Sequence, residues 1–231
     1  METIMLGTQF FANLLWWIGI SLVAERANIS AFQKRFVQIT SAMLFIAWFA
    51  AIYLLAQNGF FRATGAFPPA LLLPLIFGFF LFFSQTFRKL LTVTPMHWII
   101  GIQVFRVLGG VFLIGYIQGL LPGIFALPAG IGDILTGITA PLVAYWSYKN
   151  GKGARLIAYI WSSFGVLDLV NALTLGALAQ TPLIKTEPTT ALLAALPFVL
   201  IPAFAVPRSL LLHGYTLWLL GKRRTEKEIQ L

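Results

Sequence analysis

Four ionisable side chains stand inside apolar runs of this sequence: Arg106, Asp133, Asp168 and Arg208. An ionised group at the centre of a bilayer costs at least about 2.5 to 3.5 kcal/mol on insertion scales, so such residues are expected to face one another, a polar cavity or a transported species. On a helix of 3.6 residues per turn, Gln103, Arg106 and Gly110 project within roughly 60° of one another, which makes one stripe polar and small. Trp161, Gly165, Asp168 and Asn171 form a comparable stripe further along the chain. At about 1.5 Å per residue, Arg106 lies roughly 18 Å and Asp168 roughly 15 Å from the outer ends of their runs. The two are therefore expected to meet, with Gln103 and Asn171 filling the remaining hydrogen-bonding positions. A cluster of this kind either bridges helices or lines the path of a small solute or ion.

Asp133 closes the stretch Gly119-Leu-Leu-Pro-Gly-Ile-Phe-Ala-Leu-Pro-Ala-Gly-Ile-Gly-Asp133, which carries no charge before the aspartate. Two foldings suit it. Residues 119–130 could fold back as a re-entrant segment, tolerated only when buried in protein or facing a water-filled cavity. Gly130 and Gly132 would then bring backbone amides at a helix N-terminus close to a ligand. Alternatively the stretch is a tight apolar turn and Asp133 an ordinary first-turn acid. Below it, Gly137, Ala140, Pro141 and Ala144 give a small-residue face suited to close helix packing in lipid. Gln9 and Asn13 lie four apart in the first run, and His97 and His213 are read as interfacial residues at run ends.

The elements that must hold these residues follow from composition. Of 231 residues, 59% are hydrophobic and 10% charged, against about 25% charged in soluble domains. Apolar runs fall near 4–24, 36–56, 70–87, 97–118, 130–147, 156–178 and 190–212. Each suits the roughly 20 residues that a spanning helix needs. The expectation is an all-α, polytopic transmembrane bundle of seven spans, with residues 1–231 forming a single transmembrane domain.

Lys and Arg test the count, because short cytoplasmic loops keep positive charge. Assigned to alternate sides, twelve fall on one side (Arg26, Lys34, Arg35, Arg88, Lys89, Lys149, Lys152, Arg155, Lys222, Arg223, Arg224 and Lys227) and two, Arg62 and Lys185, on the other. That asymmetry puts the N-terminus out and the C-terminus in. The first eleven residues hold no Lys or Arg, so no removable signal peptide is expected. The last run is interrupted by Pro197, Pro202 and Pro207. It is read either as one long bent helix or as a span ending near Pro207, with residues 209–220 lying along the membrane surface.

Several chemistries are excluded. The chain has no cysteine, which removes disulfides, thiolate metal sites and cysteine nucleophiles. Its formal charge of +9 is scattered over run boundaries rather than gathered on a basic face, so nucleic acid is not an expected partner. No lysine lies between Thr190 and Gly221 to carry a retinal Schiff base, and two separated histidines cannot ligate a pair of haems. With no metal or nucleotide motif, no cofactor is expected and a metal-dependent or nucleotide-driven membrane enzyme is disfavoured.

The run His97-Trp-Ile-Ile-Gly-Ile-Gln-Val-Phe-Arg106, together with Phe125-Ala-Leu-Pro-Ala-Gly-Ile-Gly-Asp133, resembles a pattern in uncharacterised multi-pass bacterial membrane proteins. The resemblance implies a bacterial inner (cytoplasmic) membrane and brings no assigned activity. A sugar-facilitator plan shares the seven spans, but the first three do not visibly repeat in the last three, and its linker helix would here carry Gln103 and Arg106. Three classes of function fit. One is a transporter or channel for a small solute or ion, with Gln103, Arg106, Asp133, Asp168 and Asn171 along its pathway. The others are a seven-helix protein that binds or senses a small molecule or lipid beneath residues 119–130, and a non-catalytic assembly subunit. The lipid bilayer is the one partner common to all three.

Overall fold

The computed structural model describes residues 2–64, 67–181 and 183–229, with side chains described over 6–62, 70–181 and 183–222. Among the described residues the regular structure is entirely helical. Five helical stretches are long and apolar enough to cross a membrane: Leu6–Arg26, Ala31–Gln57, Met96–Ile117, Gly123–Tyr148 and Ala154–Leu178. These correspond to five of the seven expected runs. The third and the last are broken, each for a local reason given below. By contacts the chain divides into two compact units, one of Met1–Thr94 with Leu193–Pro207 and the other of Pro95–Leu192 with Arg208–Leu231.

In the first unit α1 (Glu2–Arg26) and α2 (Ala31–Gln57) form an antiparallel hairpin. Ser30 starts α2 through a capping box: its hydroxyl accepts from the Gln33 amide, and the Gln33 side chain accepts from the Ser30 amide. Lys34 Nζ donates to the Glu25 carbonyl at 2.8 Å, and the Trp17 indole donates to the Gln38 carbonyl at 2.8 Å, which fixes the pairing of the two helices. The short α3 (Phe60–Thr64) follows, then α4 (Phe67–Leu81) and α5 (Gln85–Val93).

The segments Ala70–Leu81 and Gln85–Val93 meet at 91°, and counted as one broken span they raise the number of candidate spans to six. Three successive amides, of Phe82, Phe83 and Ser84, bond carbonyls three residues back, which tightens and ends α4. Ser84 then caps α5 by accepting from Phe87 N. The new helix turns away and keeps Leu90 and Leu91 buried while exposing Arg88 and Lys89.

The last run is broken by its prolines. It holds a 3-10 turn at Thr190–Ala194 and a π-helical turn at Ile201–Ala205 before a regular helix resumes. Pro207 has no N–H to give the Ala203 carbonyl. The Trp48 indole donates to that carbonyl instead, at 3.1 Å. Around this contact Ile52, Phe61, Ala70, Val199, Leu200 and Phe204 form the core of the unit.

In the second unit α6 (Met96–Gly101) runs into a 3-10 stretch, Ile102–Gly110, and out again as α7 (Val111–Ile117). A Schellman motif ends α7: Gly119, at φ 67°, sends its amide to the Tyr116 carbonyl, and Leu120 N bonds Gly115 O at 2.8 Å. Pro122 then caps α8 (Gly123–Tyr148), and Phe112 meets Phe125 edge-to-face at 5.1 Å across the hairpin. Neither expectation for residues 119–130 is therefore met. After the five residues 118–122 the chain is already helical at Gly123, and Asp133 sits ten residues inside α8, not in its first turn.

The unit is completed by α9 (Ala154–Leu178) and by the part of α10 (Val206–Ile229) that begins at Arg208. Ser209–Leu220 packs into this unit with Leu212, His213 and Thr216 buried, rather than standing apart as a surface segment. Replacing Trp48 by Phe keeps an aromatic ring, smaller than the indole, and deletes the donor to Ala203. The expected cost is about 1 kcal/mol, read as a lower unfolding midpoint in detergent, and an unchanged midpoint would remove the role given to this bond.

Candidate functional site

The site is built from one residue on each of four elements of the second unit. It starts in the 3-10 stretch Ile102–Gly110, whose β-branched residues and paired glycines are poor α-helix formers. At three residues per turn, positions three apart eclipse. Gln103, Arg106 and Gly109 are accordingly its buried residues. The sequence reading placed Gly110 on this face because it assumed 3.6 residues per turn; the tighter helix substitutes Gly109. The stretch also lies close against α8, where a side chain on Gly137 would collide with the backbone of Arg106 and Val107.

Arg106, 2% exposed at its side chain, is engaged through all three guanidinium nitrogens. Its Nε donates to Asp133 Oδ1 at 2.7 Å, and Nη2 lies 2.6 Å from the same oxygen. Nη2 also donates to Asp168 Oδ2. Nη1 faces the Gly165 carbonyl at 3.5 Å and His213 Nε2 at 3.3 Å. A guanidinium has no acceptor, so the His213 Nε2 must accept. Its ring is then neutral, with the proton on Nδ1.

Three glycines make this arrangement possible. Asp133 on α8 rests on Gly109 of the 3-10 stretch, Asp168 on α9 rests on Gly132 of α8, and His213 on α10 rests on Gly165 of α9. At each seat a Cβ would overlap the polar side chain lying on it. The His213 ring is also held by Trp161, 5.0 Å away between centroids, whose indole donates to Thr139 Oγ1 at 2.9 Å. Each element thus carries one polar group and seats that of the next, and His213 closes the circle on Arg106.

Of the expected pathway residues, Arg106, Asp133 and Asp168 come together, and the expected Arg106–Asp168 pair is present. Asp133 joins the same guanidinium, whereas from sequence it had been considered separately. Gln103 is fully buried beside them, yet neither atom of its amide has a hydrogen-bond partner among the described residues. Asn171 is exposed and takes no part, because the positions reserved for it are filled by the Gly165 carbonyl and His213.

His213 corrects the interfacial reading: it is 0% exposed. A signal for it existed, since Ser209, His213 and Thr216 recur four and three residues apart, as an inward polar face does. Arg208, also buried, holds its guanidinium 5.2 Å over the Phe105 ring. The His97 ring meets Tyr148 edge-to-face at 5.0 Å. Among the described residues no group of three or more His, Cys, Asp or Glu could hold a metal ion. A cavity of about 530 Å³ lined by Arg155, Leu156, Tyr159, Leu217, Leu220 and Gly221 lies elsewhere, Arg155 being ten residues, or about 15 Å, along α9 from Gly165.

Residues 68–221 match a family model described as Domain of unknown function (DUF8737). The chain belongs to that family. The match takes in Arg106, Asp133, Asp168 and His213 and leaves out α1 and α2. No curated protein and no solved structure matches the chain. The family carries no stated activity, so function has to be argued from the cluster.

Arg106→Gln would leave two carboxylates without their cation. The expected loss is about 3 to 5 kcal/mol of stability, measured by unfolding in detergent. Adding Asp133→Asn and Asp168→Asn to the same chain should recover most of it. If the single variant is as stable as the parent, or the triple variant as unstable as the single, charge compensation is not what holds the cluster together.

Proposed function

We propose that this chain is a transporter or channel for a small solute or ion, with the Arg106–Asp133–Asp168 cluster on its pathway. The observation that carries this reading is the incomplete satisfaction of the polar interior. A bridge that served only to hold helices would be closed, every donor and acceptor paired, since half-satisfied polar networks are worse than an apolar core. Here Gln103, Thr136, Ser162 and the Nδ1 of His213 are almost wholly buried and have no hydrogen-bond partner for those atoms among the described residues. Buried polar groups in that condition call for water or a ligand. The pathway set is accordingly Gln103, Arg106, Asp133 and Asp168 with His213 added, and Asn171 is dropped from it.

The same reading places the chain in a bacterial cytoplasmic membrane with seven crossings, the N-terminus outside and the C-terminus inside. The asymmetry of Lys and Arg supports that orientation. The third crossing is then bent at Ser84, and the last carries the π-helical turn before α10. A small-molecule or lipid sensor roofed by residues 119–130 finds less support, because that segment is a short turn and a helix.

The absence of native cysteine makes single-cysteine labelling direct. Leu183→Cys should react with a membrane-impermeant maleimide on intact cells, and Lys152→Cys only after permeabilisation; the reverse pattern overturns the orientation. For the activity, proteoliposomes are tested for flux of protons, alkali cations and a panel of small solutes. Flux present in the parent and lost in Asp168→Asn supports the reading. Should no flux depend on Arg106 or Asp168, it fails.

A further inference from the structure

The aspartates of this chain number two, Asp133 and Asp168, and both are spent on the same guanidinium. Two carboxylates and one guanidinium sum to one negative charge. His213 does not offset it, because its Nε2 accepts from Arg106 and the ring is neutral. Arg208, the buried cation of α10, stands over the Phe105 ring. One oxygen of each carboxylate, Oδ2 of Asp133 and Oδ1 of Asp168, takes no hydrogen bond among the described residues. Those free oxygens lie against Gly109 and Gly132, so closely that a methyl group there would overlap them.

A species that restores neutrality within the cluster itself is cationic, and the smallest such species fits beside the two glycine seats without displacing them. Hard divalent cations take about six to eight oxygen ligands, and the cluster offers two free carboxylate oxygens, each with a glycine against one side. A proton needs only a lone pair. The neighbouring Gln103 is 0% exposed, its amide is unpartnered, and it shares the inward face of the 3-10 stretch with Arg106 one turn away. It is placed to hold the water from which a proton arrives.

We propose that the Arg106–Asp133–Asp168 cluster binds one exchangeable proton, and that this proton is the ion the chain moves or couples to. The second half rests on the transporter reading above; the first stands without it. In the step, a hydronium ion arriving at the water site beside Gln103 breaks one of its O–H bonds, an O–H bond forms at a free carboxylate oxygen, neutral water is left behind, and no electron changes hands. The ionisable groups that meet at the cluster are Arg106 on the 3-10 stretch, Asp133 on α8, Asp168 on α9 and His213 on α10; the same elements also carry Tyr145 and Tyr148 on α8, Arg155 and Tyr159 on α9, and Arg208, Tyr215 and the charged end from Lys222 on α10.

Infrared spectroscopy of the full chain in nanodiscs tests this, because a buried carboxylic acid gives a C=O band that shifts down on exchange into D₂O. The parent at neutral pH should show one such band, and Asp133→Asn and Asp168→Asn should each lose it, since the remaining aspartate forms a neutral pair with Arg106. Using both variants guards against one that does not fold. Absence of the band in the parent overturns the proposal and makes Arg208 the balancing charge. Persistence of the band in both variants also overturns it, by placing the proton elsewhere. Gln103→Leu should keep the band and slow its exchange; unchanged exchange removes Gln103 from the route. A band that behaves as expected in a chain without flux leaves the proton site standing and overturns transport. Flux of another solute without the band does the opposite.

Discussion

A guanidinium presents its N–H groups in one plane at fixed angles, so a buried arginine dictates where its partners stand far more strictly than a lysine would. Arg106 has to be met on its Nε side, at Nη2 and at Nη1 by groups from different elements, and α8, α9 and α10 supply them as Asp133, Asp168 with the Gly165 carbonyl, and His213. The remainder of the second unit is arranged to make that meeting possible. Helices in lipid gain little from the hydrophobic effect when they associate, because acyl chains are as apolar as leucine. Close packing and polar contacts carry the association instead.

The glycines show how the two are combined. A short acid such as Asp reaches a neighbouring helix only if the backbones approach closely, and an alanine at Gly109 or Gly132 would already prevent it. The 3-10 stretch serves the same end. Eclipsing Gln103, Arg106 and Gly109 stacks a polar residue, the cation and a glycine seat in one line, where an α-helix would have fanned them around the axis. Poorer backbone hydrogen-bond geometry is tolerated in return for a straight inward face. Long 3-10 runs inside helices tend to mark hinges or strain, and this one carries the cation on which the cluster is centred.

Much of this was legible in the sequence, and the failures have physical causes. The helical class and five of the spans followed from runs of about 20 apolar residues, a signal that depends on composition alone. Arg106 and Asp168 could be paired from depth, because helix rise is nearly constant. Asp133 could not be added, since its depth depends on where α8 begins, and the Schellman turn at Gly119 with Pro122 starts that helix seven residues before the expected 130. His213 is hidden from hydropathy, which detects runs and not faces: Ser209, His213 and Thr216 sit on one side of α10 among leucines that mask them. Asn171 failed for the opposite reason. Its spacing from Asp168 allowed one face, but backbone and imidazole groups had already filled the positions reserved for it.

What separates a helix-bridging cluster from a working one is whether the polar interior is closed. At one end of this interior the donors are fully used: all three guanidinium nitrogens are engaged, and the Trp161 indole has found Thr139. Beside it, Gln103 offers two donors and an acceptor to nothing among the described residues, and Ser162 and Thr136 are in the same position. Burying an amide unpaired costs of the order of 1 to 3 kcal/mol by mutational measures, and a leucine of similar volume at 103 would avoid that cost. A side chain that is unfavourable in the resting fold is retained most simply when another species satisfies it at some stage of the protein's operation. The placement of Gln103 one turn from Arg106, which holds both aspartates, makes water the natural candidate, and a route for water is what separates a sealed ion pair from one that exchanges with its surroundings.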